Sequence, residues 1–342
     1  MKSSILRIGS GYINHIDKVL FKSELKGKIL YVSGPIVDKL YGARVKYQLN
    51  SIGHVEEEIV DHNTIAYSMT LAERIISEDI DCIVGVGGGK VLDVSKYAAF
   101  ISKKPFLSIP TNIANDGVAS PIAVLKRKDD KPKSLGAKSP EMLIIDTDII
   151  AESPVHYIKA GIGDTISNYT ALLDWKLACE RQKDEMNGYA YLMSKTSLNV
   201  LMNASQEKID NKFIKLLANS LVLSGIAMDF AGTSRPVSGS EHLFSHAIDF
   251  YSPKRNLHGI QVALGTVAVL KLMGLPYDEV LNYLRRFEVE INPLALEIEE
   301  KVFVQCMQIA PAMRSNRYTF LHEADLSNKK LGKIYKELTE EL

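Results

Sequence analysis

The first 150 residues alternate short apolar runs with patterns typical of helices. Residues 70–76 and 91–100 repeat apolar positions at helical spacing. The apolar runs are rich in β-branched residues and have the length of buried strands, at 28–32, 82–86, 106–109 and 142–145. Strands that alternate with helices favour a parallel sheet with crossover helices. We therefore predict a Rossmann-like α/β nucleotide-binding domain over residues 1–150.

One charged segment, Lys126–Lys138, interrupts this pattern before the last predicted strand. It contains Pro132 and Gly136, which are typical of turns. We interpret it as a surface hairpin or loop.

The apolar spacing changes after residue 150. Strand-like runs become rare, and the pattern predicts helices over 164–180, 187–203, 212–230, 258–273, 277–287 and 300–312. Two glycine-containing segments, Gly161–Asp164 and Gly232–Gly239, are interpreted as loops between these helices. We therefore predict an all-helical metal-binding and substrate domain over residues 151–342, with the active site in the cleft between the two domains.

Composition excludes several classes of function. Lysine plus arginine and aspartate plus glutamate each total 41 residues, so no net field attracts nucleic acid or an anionic membrane. The three cysteines lie far apart in apolar surroundings, as reduced thiols of a cytoplasmic protein do. The first residues lack the apolar core of a signal peptide, and no stretch approaches the ~18 uncharged apolar residues of a membrane span. We expect a cytoplasmic protein without nucleic-acid or membrane partners.

A run of three glycines, Gly87–Gly89, follows the strand at 82–86. Without side chains, their backbone amides can approach a pyrophosphate at a helix N-terminus. Lys90 departs from the G-x-G-x-x-G pattern, and Val91 departs from the P-loop. The glycines alone equally fit a structural turn, but their place after a buried strand favours phosphate binding. A second candidate segment, Ser108–Gly117, follows the next strand at the same edge of the sheet, where ligands of α/β proteins bind.

Three of the eight histidines lie between positions 242 and 258. His242 and His246 are four residues apart and share one face of a helix. After a turn at 252–256, His258 begins the next predicted helix, so a helical hairpin would bring it beside His242. Asp164 can add a carboxylate, and catalytic zinc commonly takes three protein ligands and keeps one open position. Each residue alone has a structural explanation, such as a helix cap or a core histidine; together they predict a metal site.

These motifs resemble the glycerol-1-phosphate dehydrogenases, within the superfamily that also contains iron-containing alcohol dehydrogenases, glycerol dehydrogenase and dehydroquinate synthase. The resemblance covers nearly the whole chain and implies a dehydroquinate synthase-like fold. It rests on Gly34-Pro35, Gly87–Asp93, Pro110-Thr111, Asp116–Pro121, Gly163-Asp164, Thr233–Pro236, Ser238–His242, His246 and Leu257–Gly259.

The resemblance also implies roles for individual residues. Asp164, His242 and His258 would be the metal ligands, with zinc as the usual ion and nickel or iron as alternatives. Asp116, Asp164 and His246 would contact the substrate. The NAD or NADP cofactor would be contacted by Gly87, Gly88, Gly89, Lys90, Val91, Thr111, Asn112, Ile113, Ala114 and Ser120.

The predicted reaction is reversible hydride transfer between NAD(P)H and C2 of dihydroxyacetone phosphate, which gives sn-glycerol 1-phosphate. The metal would act as a Lewis acid, with Asp164 as its ligand and His246 as a proton donor or relay, since imidazole titrates near neutral pH. Arg235 and Lys138 are candidates for the group that binds the small three-carbon substrate's phosphate.

Other interpretations stay open. The same scaffold suits a dehydrogenase of another polyol or polyol phosphate, or a sugar-phosphate cyclase of the dehydroquinate synthase type. A non-enzymatic metal- or nucleotide-binding module has no feature in its favour. The resemblance implies a homodimer or a higher homo-oligomer.

Overall fold

The computed structural model describes residues 5–20, 27–252 and 254–340, and the chain divides into two compact units. The first unit comprises Met1–Ile113, Gly117–Pro154 and Asp210–Ala218. The second comprises Ala114–Asp116, Val155–Ile209 and Asn219–Leu342.

The first unit is built on a six-stranded sheet in which every neighbouring pair is parallel. The strand order is β1-β8-β5-β4-β2-β3. These strands are β1 (Ile5–Gly9), β2 (Lys28–Ser33), β3 (His54–Ile59), β4 (Cys82–Gly87), β5 (Phe106–Pro110) and β8 (Met142–Asp146). The central strand β4 is buried along its whole length, as an apolar run in a parallel sheet predicts. The predicted parallel α/β sheet is confirmed.

The remaining strands of this unit, β6 (Ile122–Lys126) and β7 (Pro132–Gly136), form an antiparallel hairpin, as predicted from the charged segment. Its helices are α1 (Ile16–Leu20), α2 (Pro35–Val37), α3 (Ala43–Leu49), α4 (Ile65–Ser77), α5 (Gly89–Ser102) and α6 (Thr147–Glu152). A π-helical turn at Asp38–Gly42 joins α2 to α3. One core of buried residues is shared by the sheet and the helices α1, α3 and α6, and it includes Tyr31, Val84, Leu107 and Ile144.

The second unit contains only helices among its described residues, which confirms the predicted all-helical half. They are α7 (Val155–Ile166), α8 (Asn168–Glu180), α9 (Gly188–Met202), α10 (Asn211–Ala231), α11 (Ser240–Tyr251), α12 (His258–Met273), α13 (Asp278–Arg286), α14 (Glu300–Ile309) and α15 (Asn328–Glu340). The first residues of α10, through Ala218, group with the first unit. Short 3-10 turns occur at Arg235–Val237, Ala310–Met313 and Phe320–His322.

The interpretation of Gly161–Asp164 as a loop is wrong, because these residues lie inside α7. A Cβ on Gly163 would lie 2.2 Å from the carbonyl oxygen of Gly259, and a Cβ on Gly259 would lie 1.9 Å from that of Ala160. The glycines therefore let α7 and α12 cross closely instead of breaking the chain. Asp164 consequently sits near the C-terminal end of α7 and is not the helix cap that the sequence suggested.

The second predicted loop, Gly232–Gly239, is confirmed, since it joins α10 to α11 and contains a 3-10 turn. The predicted turn at 252–256 joins α11 to α12; its Pro253 lies outside the described residues.

One helix meets a looser criterion for a membrane span, which allows charged residues within the apolar stretch. Helix α10, of 21 residues, is long and apolar enough to cross a membrane by length and composition, but 61% of its most apolar window is buried. Core helices of globular proteins meet the same criterion, so this feature is weak evidence for a membrane.

Candidate metal centre

Three elements of the helical unit converge on one carboxylate and two imidazoles. Asp164 lies near the end of α7, His242 in the first turn of α11, and His258 at the start of α12. Each offers one ligand atom, and these atoms all lie within 4.8 Å of one another. The imidazole centroids of His242 and His258 are 4.9 Å apart, so the helical hairpin brings the two rings together as expected.

Neighbouring side chains fix the orientation of both rings. His242 Nδ1 lies 2.8 Å from Glu241 Oε1. Ser245 Oγ donates to Gln261 Oε1 at 2.7 Å, so its oxygen must accept from His258 Nδ1, at 3.1 Å. With a proton on Nδ1, each neutral ring keeps the Nε2 lone pair for another partner. Hydrogen bonds from the second ring nitrogen are the usual support of metal-binding histidines.

The electrostatics of the three residues suit a bound cation. Burial raises the pKa of Asp164 well above its ordinary value, and the carboxylates of Asp116 and Glu241 add to this effect. Burial lowers the pKa of both His242 and His258 to about 3, so the rings are neutral. A divalent cation would stabilise the ionised carboxylate and use the imidazole lone pairs. The donor set of one oxygen and two nitrogens therefore fits zinc or a related transition metal.

Asp116 is brought to the same site by its backbone. Its amide donates to Asp164 Oδ2 at 2.9 Å, and the segment Ala114–Asp116 groups with the helical unit. The structure thus places the predicted substrate residue Asp116 next to a predicted ligand.

His246 lies one turn after His242 on α11 and is not one of the three clustered ligands. Its ring centroid is 6.5 Å from that of His242 and 6.2 Å from that of His258. Arg314 Nη2 lies 3.2 Å from His246 Nε2, and arginine can only donate, so the imidazole proton is on Nδ1. Burial and the Arg314 charge hold the pKa of His246 well below its usual value. The Nδ1 proton of the neutral ring is compatible with a substrate contact, and the role of His246 as a proton donor or relay stays a prediction.

The predicted cofactor turn lies in the first unit, where β4 ends and α5 begins. Gly88 precedes the first residue of α5, and no side chain caps this helix. A Cβ on Gly88 would lie 2.6 Å from Asn112 Nδ2, and the Thr111 amide donates to the Gly87 carbonyl at 3.0 Å. The two candidate cofactor segments are therefore neighbours, and the first amides of α5 can donate hydrogen bonds to a phosphate.

The remaining cofactor candidates differ in accessibility. Ile113 is fully buried, Val91 is 5% exposed and Ser120 is 2% exposed. Lys90 is exposed, and its Nζ lies 3.4 Å from the Asp61 carbonyl oxygen. Ala114 groups with the helical unit, unlike the other candidates.

The structure gives both predicted phosphate groups other partners. Arg235 is buried and forms an ion pair with Asp184, and its Nη1 donates to the Tyr318 carbonyl at 2.6 Å. Lys138 pairs with Glu141, and its side chain is 64% exposed. A single sequence does not show that the loop holding Asp184 folds against Arg235, and the phosphate role of Arg235 stays a prediction.

Sequence reasoning missed four residues that surround the histidines. Glu241 and Ser245 orient the imidazoles, and Arg314 and Arg317 share the hydroxyl of Ser234. Glu241 could have been noticed as an acid next to His242. The arginines follow α14, more than fifty positions after the histidines, and only the fold brings them together.

Known proteins are similar to this chain over nearly its whole length. A family model described as iron-containing alcohol dehydrogenase matches residues 7–154. A glycerol-1-phosphate dehydrogenase (NAD(P)+) of Thermococcus sibiricus is 34% identical over 331 residues, which cover 96% of this chain and 94% of that protein. Another, of Hyperthermus butylicus, is 37% identical over 327 residues, 94% of this chain and 92% of that protein.

Solved structures match the fold as well. A glycerol dehydrogenase from Schizosaccharomyces pombe superposes with a TM-score of 0.78 at 17% identity, covering 99% of this chain and 92% of that chain. A probable glycerol dehydrogenase from Sinorhizobium meliloti also gives 0.78 at 17% identity, covering 97% and 95%. At this identity the likeness concerns the fold alone.

Proposed function

Because the chain belongs to the glycerol-1-phosphate dehydrogenase family, we propose that it transfers a hydride reversibly between NAD(P)H and dihydroxyacetone phosphate, giving sn-glycerol 1-phosphate. The observation that carries the proposal is the convergence of Asp164, His242 and His258 in one cluster, with His246 one turn away. A polyol phosphate dehydrogenase of this kind needs a site for the reacting oxygen and a site for the nucleotide. The chain offers residues suited to each.

Asp164, His242 and His258 would hold a divalent cation, with zinc as the first expectation and nickel or iron as alternatives. When bound, the cation would act as a Lewis acid towards the substrate carbonyl oxygen. The protein's own contribution is to fix both imidazoles through Glu241 and Ser245, while burial keeps the rings neutral. Three protein ligands leave a position for substrate.

Asp116 and His246 would contact the substrate beside this centre. The Asp116 amide already anchors the Asp164 carboxylate, so the two acidic residues are held as a pair. His246 would present its Nδ1 proton to a substrate oxygen, because Arg314 occupies Nε2. In this role it positions the ketone and stays neutral.

The nicotinamide cofactor supplies the hydride when bound. The turn Gly87–Val91 would receive its pyrophosphate at the N-terminus of α5, and Thr111–Ala114 and Ser120 would complete the contacts. The absence of a side-chain cap on α5 keeps the first amides of that helix available.

The test is direct. Purified metal-loaded protein is mixed with dihydroxyacetone phosphate and NADH or NADPH, and nucleotide oxidation is followed by absorbance while the product enantiomer is assigned with a stereospecific enzyme. We expect oxidation and the 1-phosphate. Nucleotide oxidation only with dihydroxyacetone or another unphosphorylated ketone, or turnover of a sugar phosphate without net nucleotide change, would contradict the proposal.

The variant Asp164→Asn gives a second test of the same site. It removes the charge that a cation needs while conserving shape, so bound metal and activity should be lost together and the circular dichroism spectrum kept. Full activity of the wild type after exhaustive chelation would show that the reaction needs no metal.

A further inference from the structure

We propose that Arg314 and Arg317 form the binding site for the phosphate group of the substrate. The inference rests on the proposed function, because only a phosphorylated ketone requires such a site. It replaces Arg235, whose guanidinium is held by Asp184 and the Tyr318 carbonyl.

The two guanidinium groups are joined by one neutral hydroxyl. Ser234 Oγ accepts from Arg314 Nη1 at 3.2 Å and from Arg317 Nη2 at 2.9 Å. The other contacts are equally uncharged: Arg314 Nη2 reaches His246 Nε2 at 3.2 Å, and Arg317 Nη1 donates to the Ser238 carbonyl at 2.5 Å. Each arginine has five N–H donors, so both retain capacity for an anion.

Within the described part of the chain, no carboxylate oxygen lies within ion-pair distance of either arginine. Asp184 and Glu241 act on Arg317 only at longer range, and their oxygens are engaged by Arg235 and by His242 and Thr170. Arg317 is 6% exposed, and burial together with the nearby charges of Arg314 and Arg235 lowers its pKa to about 9. Burying like charges without a counter-charge is costly, and proteins keep such arrangements where an anion binds.

The position of the pair matches the chemistry of the substrate. In dihydroxyacetone phosphate, one methylene and one oxygen separate the phosphate from the carbonyl carbon, so the phosphate must lie near the residues that hold the carbonyl. Arg314 contacts His246, whose ring is 6.2 Å from that of His258. A guanidinium can grip phosphate through two parallel hydrogen bonds, and a second guanidinium supports the second charge of the dianion.

The nucleotide is a second source of phosphate in this enzyme. The arginine pair and the residues it contacts belong to the helical unit that also supplies the three clustered ligands. These residues are Ser234, Ser238, His246, Arg314 and Arg317. The glycine turn and α5, in contrast, belong to the first unit. Because the arginine pair and the clustered ligands belong to the same unit, we favour the phosphate of the substrate over that of the nucleotide as the bound anion.

The test compares a phosphorylated with an unphosphorylated ketone. In metal-loaded Arg314→Gln, kcat/KM for dihydroxyacetone phosphate should fall by about 10- to 100-fold, the loss expected for charge-assisted hydrogen bonds. The kcat/KM for dihydroxyacetone should fall clearly less, because that ketone has no phosphate to bind and loses only the contact of Arg314 with His246. Arg286→Gln, at an exposed arginine on α13, is the matched control and should leave both values unchanged.

Binding of inorganic phosphate gives a readout that does not depend on turnover. Calorimetric titration of the metal-loaded wild type should detect phosphate, which should compete with dihydroxyacetone phosphate and not with NADH. Arg314→Gln should weaken this binding at least tenfold while zinc content stays at the wild-type level. The same titration can be made with Arg317→Gln. Arg317→Lys keeps the charge and removes the forked pair of N–H groups, so it should weaken phosphate binding less than Arg317→Gln does. It serves as the variant if Arg317→Gln does not fold.

The outcomes separate the two proposals. Equal phosphate affinity in wild type and Arg314→Gln, equal losses for both ketones, or competition with NADH alone would overturn the phosphate site. A wild type that binds phosphate through Arg314 but leaves dihydroxyacetone phosphate unreduced would instead contradict the proposed function and retain the anion site.

Discussion

Glu241 Oε1 accepts a hydrogen bond of 2.8 Å from Nδ1 of His242, the next residue in the chain. Glu241 is fully buried, and its carboxylate also accepts from the Gly239 amide and the Thr170 hydroxyl, each at 2.6 Å. The carboxylate is therefore fixed at several points before it meets the imidazole. It turns the Nε2 edge of His242 towards Asp164 and His258 and selects the tautomer that can bind a metal.

This relationship predicts that Glu241→Gln weakens metal binding without removing a ligand. An amide at this position offers only one oxygen, and its NH2 group cannot accept from the hydroxyl, amide or imidazole donors that now converge there. We expect zinc affinity to fall by about 10- to 100-fold, measured by competition with a chelator. Glu207→Gln, at an exposed glutamate of the same unit, should leave the affinity unchanged. If the folded Glu241→Gln protein binds zinc as tightly as the wild type, the carboxylate contributes to the stability of the fold and not to metal binding.

The second ring has its own support, which predicts a smaller effect. Ser245→Ala removes the acceptor for His258 Nδ1 and a partner of Gln261, so the ring loses its preferred tautomer. We expect about a tenfold loss of zinc affinity in the same chelator competition. Because Glu241 and Ser245 act on different ligands, the double variant should lose roughly the product of the two factors. If the double variant binds zinc no more weakly than Glu241→Gln does, both changes act through the same displacement of the ligands.

Much of the fold was predictable because its signals are local. The buried strands β2, β4, β5 and β8 are continuous apolar runs, and α12 was predicted with both ends correct. Strand β3 was missed because it contains three consecutive glutamates. It lies at the edge of the sheet and pairs with one strand only, and its apolar and polar residues do not alternate clearly.

The site was less predictable, since its contacts are long-range. Asp164 and the histidines stand in recognisable motifs, but Arg314 carries no local pattern that distinguishes it from a surface arginine. The prediction of a loop at Gly163 was wrong for a physical reason. A turn and a close helix crossing both require a residue without Cβ, and the sequence alone does not distinguish the two.

That crossing predicts a strong effect of one added methyl group. In Gly163→Ala the new Cβ would lie 2.2 Å from the Gly259 carbonyl and 2.9 Å from Ala263 Cβ, so α7 and α12 must move apart. We expect a loss of about 2–3 kcal/mol in the free energy of unfolding, measured by urea denaturation. Zinc affinity should fall too, because Asp164 and His258 are carried by the two displaced helices.

Gly188→Ala is the control for this change, because a Cβ at Gly188, the first residue of α9, would meet nothing within 4 Å. It should be neutral or stabilise by up to about 1 kcal/mol. Equal stability of Gly163→Ala and Gly188→Ala would mean that the close packing of α7 on α12 does not constrain the centre.

A last prediction concerns pH and Asp249, a partly buried acid on α11 that is not one of the clustered ligands. Burial raises the pKa of Asp249 to about 6 from an ordinary value of 3.8, although Gln261 Nε2 donates to its Oδ1 at 3.3 Å. The folded protein thus binds this proton more tightly than the unfolded chain. The contribution of Asp249 to the free energy of unfolding therefore falls as pH rises from about 4 to about 6, and is constant above that window.

Asp249→Asn conserves the shape and the acceptor for Gln261 while removing the titration. In metal-free protein, the variant should match the wild type near pH 4 and exceed its free energy of unfolding by about 1–3 kcal/mol at pH 8, measured by urea denaturation across this range. Asp229→Asn, at an exposed position of α10, is the control and should leave the free energy of unfolding at pH 8 close to the wild-type value. A wild-type advantage that grows with pH would reverse the sign and show that Asp249 gains a stabilising charge interaction in the folded protein.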